Sequence, residues 1–372
     1  MVEAVCAWQM RLLTNADPLM VSLVTTALQF TVMAAVIPAG VIADIVDRRK
    51  LILISHAWLS IVLGVLCGLI FAESLTPVLL LLFVPAIALT QAVRMPVIGS
   101  MIVETVDRSA LGPAVALNAL GQNASRIIGP AIAGLLLGIG GATVALGIAA
   151  IGLLLAGGLL ASVVTTRAEP ARRPTLQGMM DDFREERRYL ATTSWKRNLL
   201  LRLGGFFVCA SAIPALLPVV FQSATTYGLM LSLYGVGAIL SLLVTGRSMA
   251  GAASERRAVV AQCVHACGLL LLGLSGGAWP AAIALLACGG GWLALSNALM
   301  TAAQLQLPAA SRGRGLSIVY AVGMAGLATG GPVWGLIARH FGIASAFVAA
   351  GVLSLAVVAL TRSRRFTVAD ET

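Results

Sequence analysis

The feature that most constrains this chain is a succession of apolar stretches of about twenty residues, separated by short charged or Gly/Pro-containing turns. A helix needs roughly 20 apolar residues to cross the hydrocarbon core of a bilayer. Of the 372 residues, 59% are hydrophobic and only 11% are charged, whereas soluble proteins are about 25% charged. This composition excludes a soluble enzyme, a disordered chain and a nucleic-acid-binding module, and it predicts an all-α membrane protein.

Charged loops and Gly/Pro punctuation divide the chain into twelve predicted helical segments. The first segment has about half the residues of a full span. We therefore expect that the chain either begins late or lacks its true start, and we favour the second. In order, the segments cover about 2–13, 18–43, 51–72, 77–103, 112–139, 142–165, 198–221, 226–248, 257–275, 280–303, 315–338 and 342–361.

A polar stretch divides these segments into two groups of six. We predict an N-terminal helical bundle over 1–165, a cytoplasmic linker over 166–197, a C-terminal bundle over 198–361 and a cytoplasmic tail over 362–372. Apolar residues within the linker recur at helical spacing, which favours an amphipathic helix along the inner membrane surface. A solvated linker that only joins the two bundles is the alternative.

The basic residues indicate the orientation in the membrane. All but five of the 25 Lys and Arg residues lie in alternate loops, in the linker or in the tail. Cytoplasmic loops carry an excess of Lys and Arg, so these loops and the C-terminus are predicted to be cytoplasmic in the cell membrane. The five exceptions are Arg11, Arg94, Arg126, Arg202 and Arg339.

Segments 5 and 11 carry similar Gly-Pro motifs that indicate an internal repeat. The second motif follows the first by 202 residues, and the same offset separates Gly140 from Gly342. Two parallel six-helix repeats are what this offset predicts. A Gly-Pro pair removes a backbone donor and lets a neighbouring helix approach, so helix packing or hinge motion is expected here. The residues concerned are Gly129, Pro130, Gly134, Gly331, Pro332 and Gly335.

The loop between segments 2 and 3 reads Gly40-Val-Ile-Ala-Asp44-Ile-Val-Asp47-Arg48-Arg49-Lys50. It resembles the signature G-x-x-x-D-R-x-G-R-R/K of the major facilitator superfamily, with Ile45 and Asp47 as departures. Its ending in Asp-Arg-Arg is similar to the enterobactin-exporter-like branch, the transmembrane secretion effectors. So is a set of residues in later segments: Asn118, Asn123, Arg126, Gly129, Pro130, Gly134, Tyr227, Gly228, Gly235, Arg312, Gly313 and Arg314.

This resemblance implies a secondary transporter that works by alternating access around a central cavity. It implies export of a small amphipathic molecule, such as a drug or siderophore, as a proton antiporter. Lipid, substrate and proton are then the expected partners of a monomer, with no nucleic acid. A membrane protein that does not transport, as a receptor or a truncated copy, is the alternative.

The resemblance also assigns roles to the loop. It implies that Asp44 contacts segment 11 and holds the cytoplasmic side shut, with Gly40, Asp47, Arg48 and Arg49 in the same gating element. A carboxylate is stabilised at a helix N-terminus, where unpaired N–H groups and the helix dipole favour an anion. The alternative is that the charges of this loop only set the topology.

A second set of residues is predicted to lie inside the bundle. Arg126 lies about 21 Å along segment 5, where a guanidinium is costly unless it faces a polar interior. We expect it to line the cavity with Asn118 and Asn123 and to bind either an anionic group of the substrate or a carboxylate such as Glu3, unless it bonds only to carbonyl or Asn groups. Arg94 resembles the helix 4 arginine of antiporters in this superfamily, which implies a role in proton coupling. The alternative is that its side chain extends to the inner interface.

The positions of two tryptophans and one further arginine in the bundle are also considered. Trp292 and Trp334 line the cavity or pack between helices, and the sequence leaves both possibilities open. Arg202 is expected to anchor segment 7 at the interface.

Catalysis and cofactor binding are not expected. Gly273 to Gly277 match the G-x-S-x-G pattern of serine hydrolases around Ser275. His265 lies about 15 Å away on the same segment, and His56 lies at the other side of the membrane. His340 is therefore the one histidine that could lie near Ser275, and a Gly-Ser-Gly helix end is the favoured interpretation. Cys263, His265 and Cys267 do not point to one side of a helix, so no metal site is predicted. No nucleotide-binding P-loop motif occurs in the chain, and no cofactor is expected.

Overall fold

The computed structural model describes residues 1–107, 110–161, 194–245, 252–307 and 312–362. Every regular element in these ranges is a helix. We number the helices α1 Val2–Leu13, α2 Pro18–Ile45, α3 Arg48–Phe71, α4 Pro77–Thr105, α5 Leu111–Ala161, α6 Ser194–Ala210, α7 Ala212–Val220, α8 Ala224–Thr245, α9 Ala252–Leu274, α10 Ala278–Gln306, α11 Arg312–Phe341 and α12 Ile343–Thr361.

Polar caps and glycine turns explain where several helices begin. Asp17 and Thr76 accept hydrogen bonds from backbone N–H groups in the first turns of α2 and α4, and a proline follows each of them. Gly277 and Gly342 adopt positive φ directly before α10 and α12, a backbone conformation that strains other residues.

Predicted segments 5 and 6 both lie in α5, which consists of two helices that meet at a sharp turn. Gly141, with φ 69° and ψ −168°, divides it. The second part packs against α3. Cys67 contacts the carbonyl of Thr143, Ser60 contacts the carbonyl of Ala150, and His56 contacts Gly157. The two helices are antiparallel, because the contacts move towards the start of α3 as they move towards the end of α5. Gly141 therefore supplies the turn that the sequence predicted as a short connection.

Predicted segment 7 is longer than expected and is kinked. It starts at Ser194, so Lys196 and Arg197 belong to the first turn of α6. Ser211 separates α6 from α7. The kink has a local cause, because Pro214 has no N–H group and its ring clashes with the carbonyl four residues earlier, at Ala210.

The helices form two groups that we call the N-terminal half (α1–α5) and the C-terminal half (α6–α12). One end of the bundle carries the charged loop that begins after α2, and we call it the basic end. The opposite end carries the turns at Asn15, Glu73 and Gly141. The predicted amphipathic linker helix and the residues from 363 onward lie outside the described residues.

The surface of the bundle is apolar. Phe71 and Trp279 are each 84% exposed, and Leu243 is 77% exposed. Among the described residues, ten stretches are long and apolar enough to cross a membrane, counting the divided stretch Ile127–Leu160 once. Exposed apolar side chains on such helices are expected to face lipid rather than water.

Candidate functional site

A cavity of about 1250 Å³ lies between the two halves. Its N-terminal wall includes Glu3 on α1, Arg94 on α4 and Asn118 on α5. Its C-terminal wall includes Tyr234 on α8 and Tyr320 on α11. Each wall is built from a helix face with residues three to four positions apart, as an amphipathic helix presents them. On α4 these are Ile87, Gln91, Arg94 and Ile98, and on α8 they are Tyr227, Leu231, Tyr234 and Ala238.

The two halves are packed together at the opposite end. A Cβ atom placed on Gly134 of α5 would lie only 2.7 Å from the Cα of Gly228 on α8. On the other side of the bundle, a Cβ atom on Gly331 of α11 would lie 2.8 Å from Oγ1 of Thr26 on α2. Small residues allow helix backbones to approach closely, and these contacts close the cavity at this end.

Aromatic and polar contacts reinforce this closure. Trp8 of α1 stacks on Tyr227 of α8 with ring centroids 5.7 Å apart. Asp17 and Arg339 form an ion pair between the halves, with Oδ2 3.8 Å from the nearest guanidinium nitrogen. Ser232 Oγ donates a hydrogen bond of 2.8 Å to the carbonyl of Ile127. Trp8 and Tyr227 are buried, whereas the lining residues Gln91 and Arg94 are exposed, so the cavity is accessible from the basic end.

The solved structures that this chain resembles include several transporters. The xylose transporter XylE from E. coli, solved in an inward-open conformation, matches with a TM-score of 0.75 at 11% identity, covering 97% of this chain and 92% of that one. A D-xylose–proton symporter matches at 0.75 and 14% identity, covering 98% and 92%. The nucleoside transporter NupG matches at 0.72 and 13% identity, covering 98% and 97%. These identities establish a shared fold. No curated protein matches the chain by sequence.

The sequence itself matches the family described as transmembrane secretion effector over residues 1–372. The chain belongs to the transmembrane secretion effector family of the major facilitator superfamily. It is therefore a multi-pass membrane transporter, and the predicted fold of two six-helix halves is confirmed.

Three polar residues predicted to lie inside the transporter do line its cavity: Glu3, Arg94 and Asn118. Pro130, from the first Gly-Pro motif, also lines it. Arg126 and Asn123 belong to α5, but their side chains lie outside the described residues. The predicted Glu3–Arg126 pair therefore stays a prediction.

The gating loop is described only in part. Gly40 and Asp44 belong to the last turns of α2, and their side chains lie outside the described residues. Asp47 is the N-cap of α3, and its Oδ1 accepts a hydrogen bond of 3.0 Å from the N–H group of Lys50. Arg48 and Arg49 form the first turn of the same helix. Asp47 thus has a local role in starting α3 at the basic end.

The Gly-Pro motifs of the transporter lie at the boundary between the halves. Gly129 is 3.4 Å, measured from an added Cβ atom, from the backbone nitrogen of Met1. Gly335, one turn after Gly331 and Pro332, packs against Ser22 and Leu19 of α2. An added Cβ atom on Gly228 of α8 would lie 2.6 Å from the carbonyl oxygen of Pro130. Both motifs therefore lie on helices that contact the other half.

The two tryptophans have different environments in the structure. Trp292 lines the cavity and its ring lies 6.1 Å from that of Tyr234. Trp334 is buried and its Nε1 donates a hydrogen bond of 2.6 Å to the carbonyl of Val208. Trp292 is thus a lining residue, and Trp334 packs α11 against α6.

The expectation for Arg202 is wrong. Its side chain is only 2% exposed, so it does not extend to an interface. Its Nε donates a hydrogen bond of 3.1 Å to Oε1 of Gln262, whose Nε2 donates to the carbonyl of Ser354 at 3.3 Å. A polar network therefore joins α6, α9 and α12 inside the C-terminal half. Gln262 within the apolar α9 was the signal in the sequence that such a network exists.

The residues considered for catalysis or metal binding are dispersed. Ser275 follows the last turn of α9, and His265 is buried in the same helix with its ring 5.0 Å from that of Phe206. His56 bonds through Nδ1 to the carbonyl of Ile52 near the start of α3, at the other end of the bundle. Among the described residues, no group of three His, Cys, Asp or Glu side chains is placed to hold a metal ion.

Proposed function

We propose that this transporter exports a small amphipathic molecule from the cytoplasm, in exchange for protons, by alternating access. The observation that carries the proposal is the cavity itself. It has about 1250 Å³ of space, which is sufficient for a drug-sized ligand. Both halves contribute to it, and the described residues close it at the end opposite to the basic loops. A rocking motion of the two halves would open the end that is closed here and close the basic end.

The charge distribution supports the export direction. The basic loops of the chain place the basic end in the cytoplasm. The cavity is accessible from that end, so the described conformation is the one that would take up a substrate from the cytoplasm. We propose that the cell membrane is the location and that the C-terminus is cytoplasmic.

Glu3 supports proton coupling. It is the carboxylate among the described residues that line the cavity, where a proton can bind in one conformation and leave in the other. Arg126, which belongs to α5 beside the lining residue Ser125, is proposed to face the same space. Asp44 is proposed to hold the basic end shut in the opposite conformation.

The test uses inverted membrane vesicles, in which export appears as uptake into the lumen. Carboxyfluorescein and ethidium serve as an anionic and a cationic probe. We expect an imposed acidic lumen to drive accumulation of at least one probe, and a protonophore to abolish it. Absence of gradient-driven accumulation for both probes would contradict the proposal and favour a membrane protein that does not transport.

Single substitutions test whether Glu3 is the group that couples transport to proton movement. We expect Glu3→Gln to abolish gradient-driven accumulation while it preserves exchange of labelled for unlabelled probe, because only the proton-binding group is lost. Glu73→Gln is the matched control, since Glu73 is exposed in the turn after α3. Arg126→Ala and Asp44→Asn are each expected to impair accumulation. If Glu3→Gln retains gradient-driven accumulation, Glu3 is not the coupling group.

A further inference from the structure

We propose that the substrate is an organic anion with a planar apolar part, whose acidic group binds Arg94 while the planar part packs on the aromatic residues of the C-terminal wall. This inference rests on the proposed function and specifies its substrate class. It follows from the unequal chemistry of the two walls of the cavity.

The N-terminal wall offers an available guanidinium. Arg94 lines the cavity and is exposed to it. Its side chain forms no hydrogen bond or ion pair with any residue that the structure describes. Charged side chains within spanning segments face a polar interior or a water-filled cavity and mark substrate pathways. The planar set of donors of a guanidinium matches a carboxylate in two parallel bonds.

Two further hydrogen-bonding groups accompany Arg94. Gln91 lies one helical turn before it on α4, and Asn118 lies on α5, and both line the cavity. The amide N–H group of Gln91 can complete the hydrogen bonds of an acidic group that Arg94 holds, whereas Asn118 lies about 9 Å nearer to the basic end at 1.5 Å per residue. These three side chains together give the N-terminal wall a surplus of donors at the accessible end.

The C-terminal wall is aromatic. Tyr234, Trp292 and Tyr320 line it from α8, α10 and α11. Among the described residues that line the cavity, those from the C-terminal half carry no charged side chain. A planar ring packs on such residues through offset or edge contacts, so this wall suits the apolar part of the substrate.

The carboxylate of Glu3 does not compete for the same place. Counted from the opposite end, Arg94 lies about 25 Å along α4 and Glu3 about 15 Å along α1, at 1.5 Å per residue. The anion-binding group is thus about 10 Å nearer to the basic end than the proposed proton-binding group. A substrate that enters from the cytoplasm meets Arg94 before Glu3.

The test measures binding and does not require transport. Naphthoate, naphthylmethylammonium and naphthalenemethanol share one ring system and differ in charge. Each is titrated into the purified full chain in detergent by isothermal titration calorimetry. We expect naphthoate to bind about 10-fold or more tightly than either other probe, which is the effect of one charge-assisted contact.

Two pairs of variants separate the walls. Arg94→Gln is expected to weaken naphthoate binding about 10- to 100-fold and to leave naphthalenemethanol binding unchanged. Arg256→Gln, an equal change of charge at an exposed position outside the cavity lining, is expected to change neither. Tyr320→Ala is expected to weaken all three probes alike, and Tyr320→Phe to preserve their binding.

The proposal is overturned if naphthylmethylammonium binds as tightly as naphthoate, if none of the probes binds, or if Arg94→Gln keeps the preference for the anion. These results are distinguishable from failure of the proposed function. Preferential naphthoate binding without gradient-driven export would remove the export proposal and leave the anion site. Gradient-driven ethidium export without naphthoate binding would remove the anion site and leave the export proposal.

Discussion

Asp17 and Arg339 form an ion pair that joins the two halves of the transporter at the end opposite to the basic loops, with 3.8 Å between Oδ2 and the guanidinium nitrogen. Asp17 precedes α2 and Arg339 lies in the last turn of α11. The same Asp17 side chain accepts a hydrogen bond of 2.9 Å from the N–H group of Leu19 through Oδ1. One carboxylate therefore both caps a helix and forms one of the contacts that close the cavity at this end.

Removing this ion pair is expected to favour opening of the opposite end. Asn caps a helix as well as Asp does, so Asp17→Asn removes the charge and preserves the cap. Arg339 is 53% exposed, and exposed pairs contribute about 0.2–1 kcal/mol. The readout is the rate at which a membrane-impermeant maleimide labels an introduced Thr26→Cys. We therefore expect Asp17→Asn to increase this rate modestly, after subtraction of the labelling of the chain that lacks Thr26→Cys.

The controls for this prediction use the partner residue and salt. Arg339→Gln should raise the labelling rate equally, and the two substitutions together should add nothing further. High salt should reduce the difference between the variants and the parent chain. Fully additive effects of the two substitutions would show that Asp17 and Arg339 do not act on each other.

The contact between Gly134 and Gly228 is expected to tolerate no side chain. A methyl group on Gly134 would lie 2.7 Å from the Cα of Gly228 and 2.8 Å from the carbonyl oxygen of Ala224. Such overpacking costs about 1–3 kcal/mol. Gly134→Ala should therefore disfavour the described conformation, raise Thr26→Cys labelling and slow uptake into inverted vesicles. Gly147→Ala, where nothing lies within 4 Å, should leave both measurements unchanged.

Asp47 is expected to contribute to stability through its capping hydrogen bond to Lys50. Asp47→Ala should lower the free energy of unfolding by about 1 kcal/mol, seen as a lower melting temperature in detergent. Asp47→Asn should retain the cap and the melting temperature. If Asp47→Asn melts normally but fails to transport, the carboxylate has a gating role in addition to the cap. Equal melting of Asp47→Ala and the parent chain would argue against the cap.

Arg202 is expected to stabilise the C-terminal half from inside. Arg202→Ala would remove the donor to Oε1 of the buried Gln262 and create a space among α6, α9 and α12. We expect a loss of about 3 kcal/mol in the free energy of unfolding. Arg197→Ala, on the exposed side of the same helix, should melt within error of the parent chain. Similar melting of both variants would contradict a structural role for the network.

Several features of the fold could be predicted because they depend on residues close together in the sequence. The apolar stretches predicted the helices, and the ends of α2, α4 and α12 lie within about two residues of the prediction. The residues at which α5 turns and α6 kinks also have local causes, Gly141 and Pro214. The kink was nevertheless missed, since a proline near a helix end permits several conformations.

The orientation of side chains could be predicted only for polar residues in apolar segments, because contact with lipid is unfavourable for them. Glu3, Arg94 and Asn118 are polar groups within apolar segments, and they line the cavity. Trp292 and Trp334 could not be distinguished, although one lines the cavity and the other packs against α6. Arg202 was misassigned because a buried partner, Gln262, lies 60 residues away.

The sequence alone determined that the chain is helical, that it crosses the membrane many times, and which of its loops are basic, because apolar length and loop charge are properties of contiguous residues. Only the tertiary structure decided which helix faces meet, that the halves close at the end of Asp17 and Arg339, and that Arg94 lines the same cavity as Tyr234, Trp292 and Tyr320. The physical reason is that lipid and protein interior are similarly apolar. An apolar helix therefore carries no local signal for which of its sides contacts lipid, a neighbouring helix or the cavity.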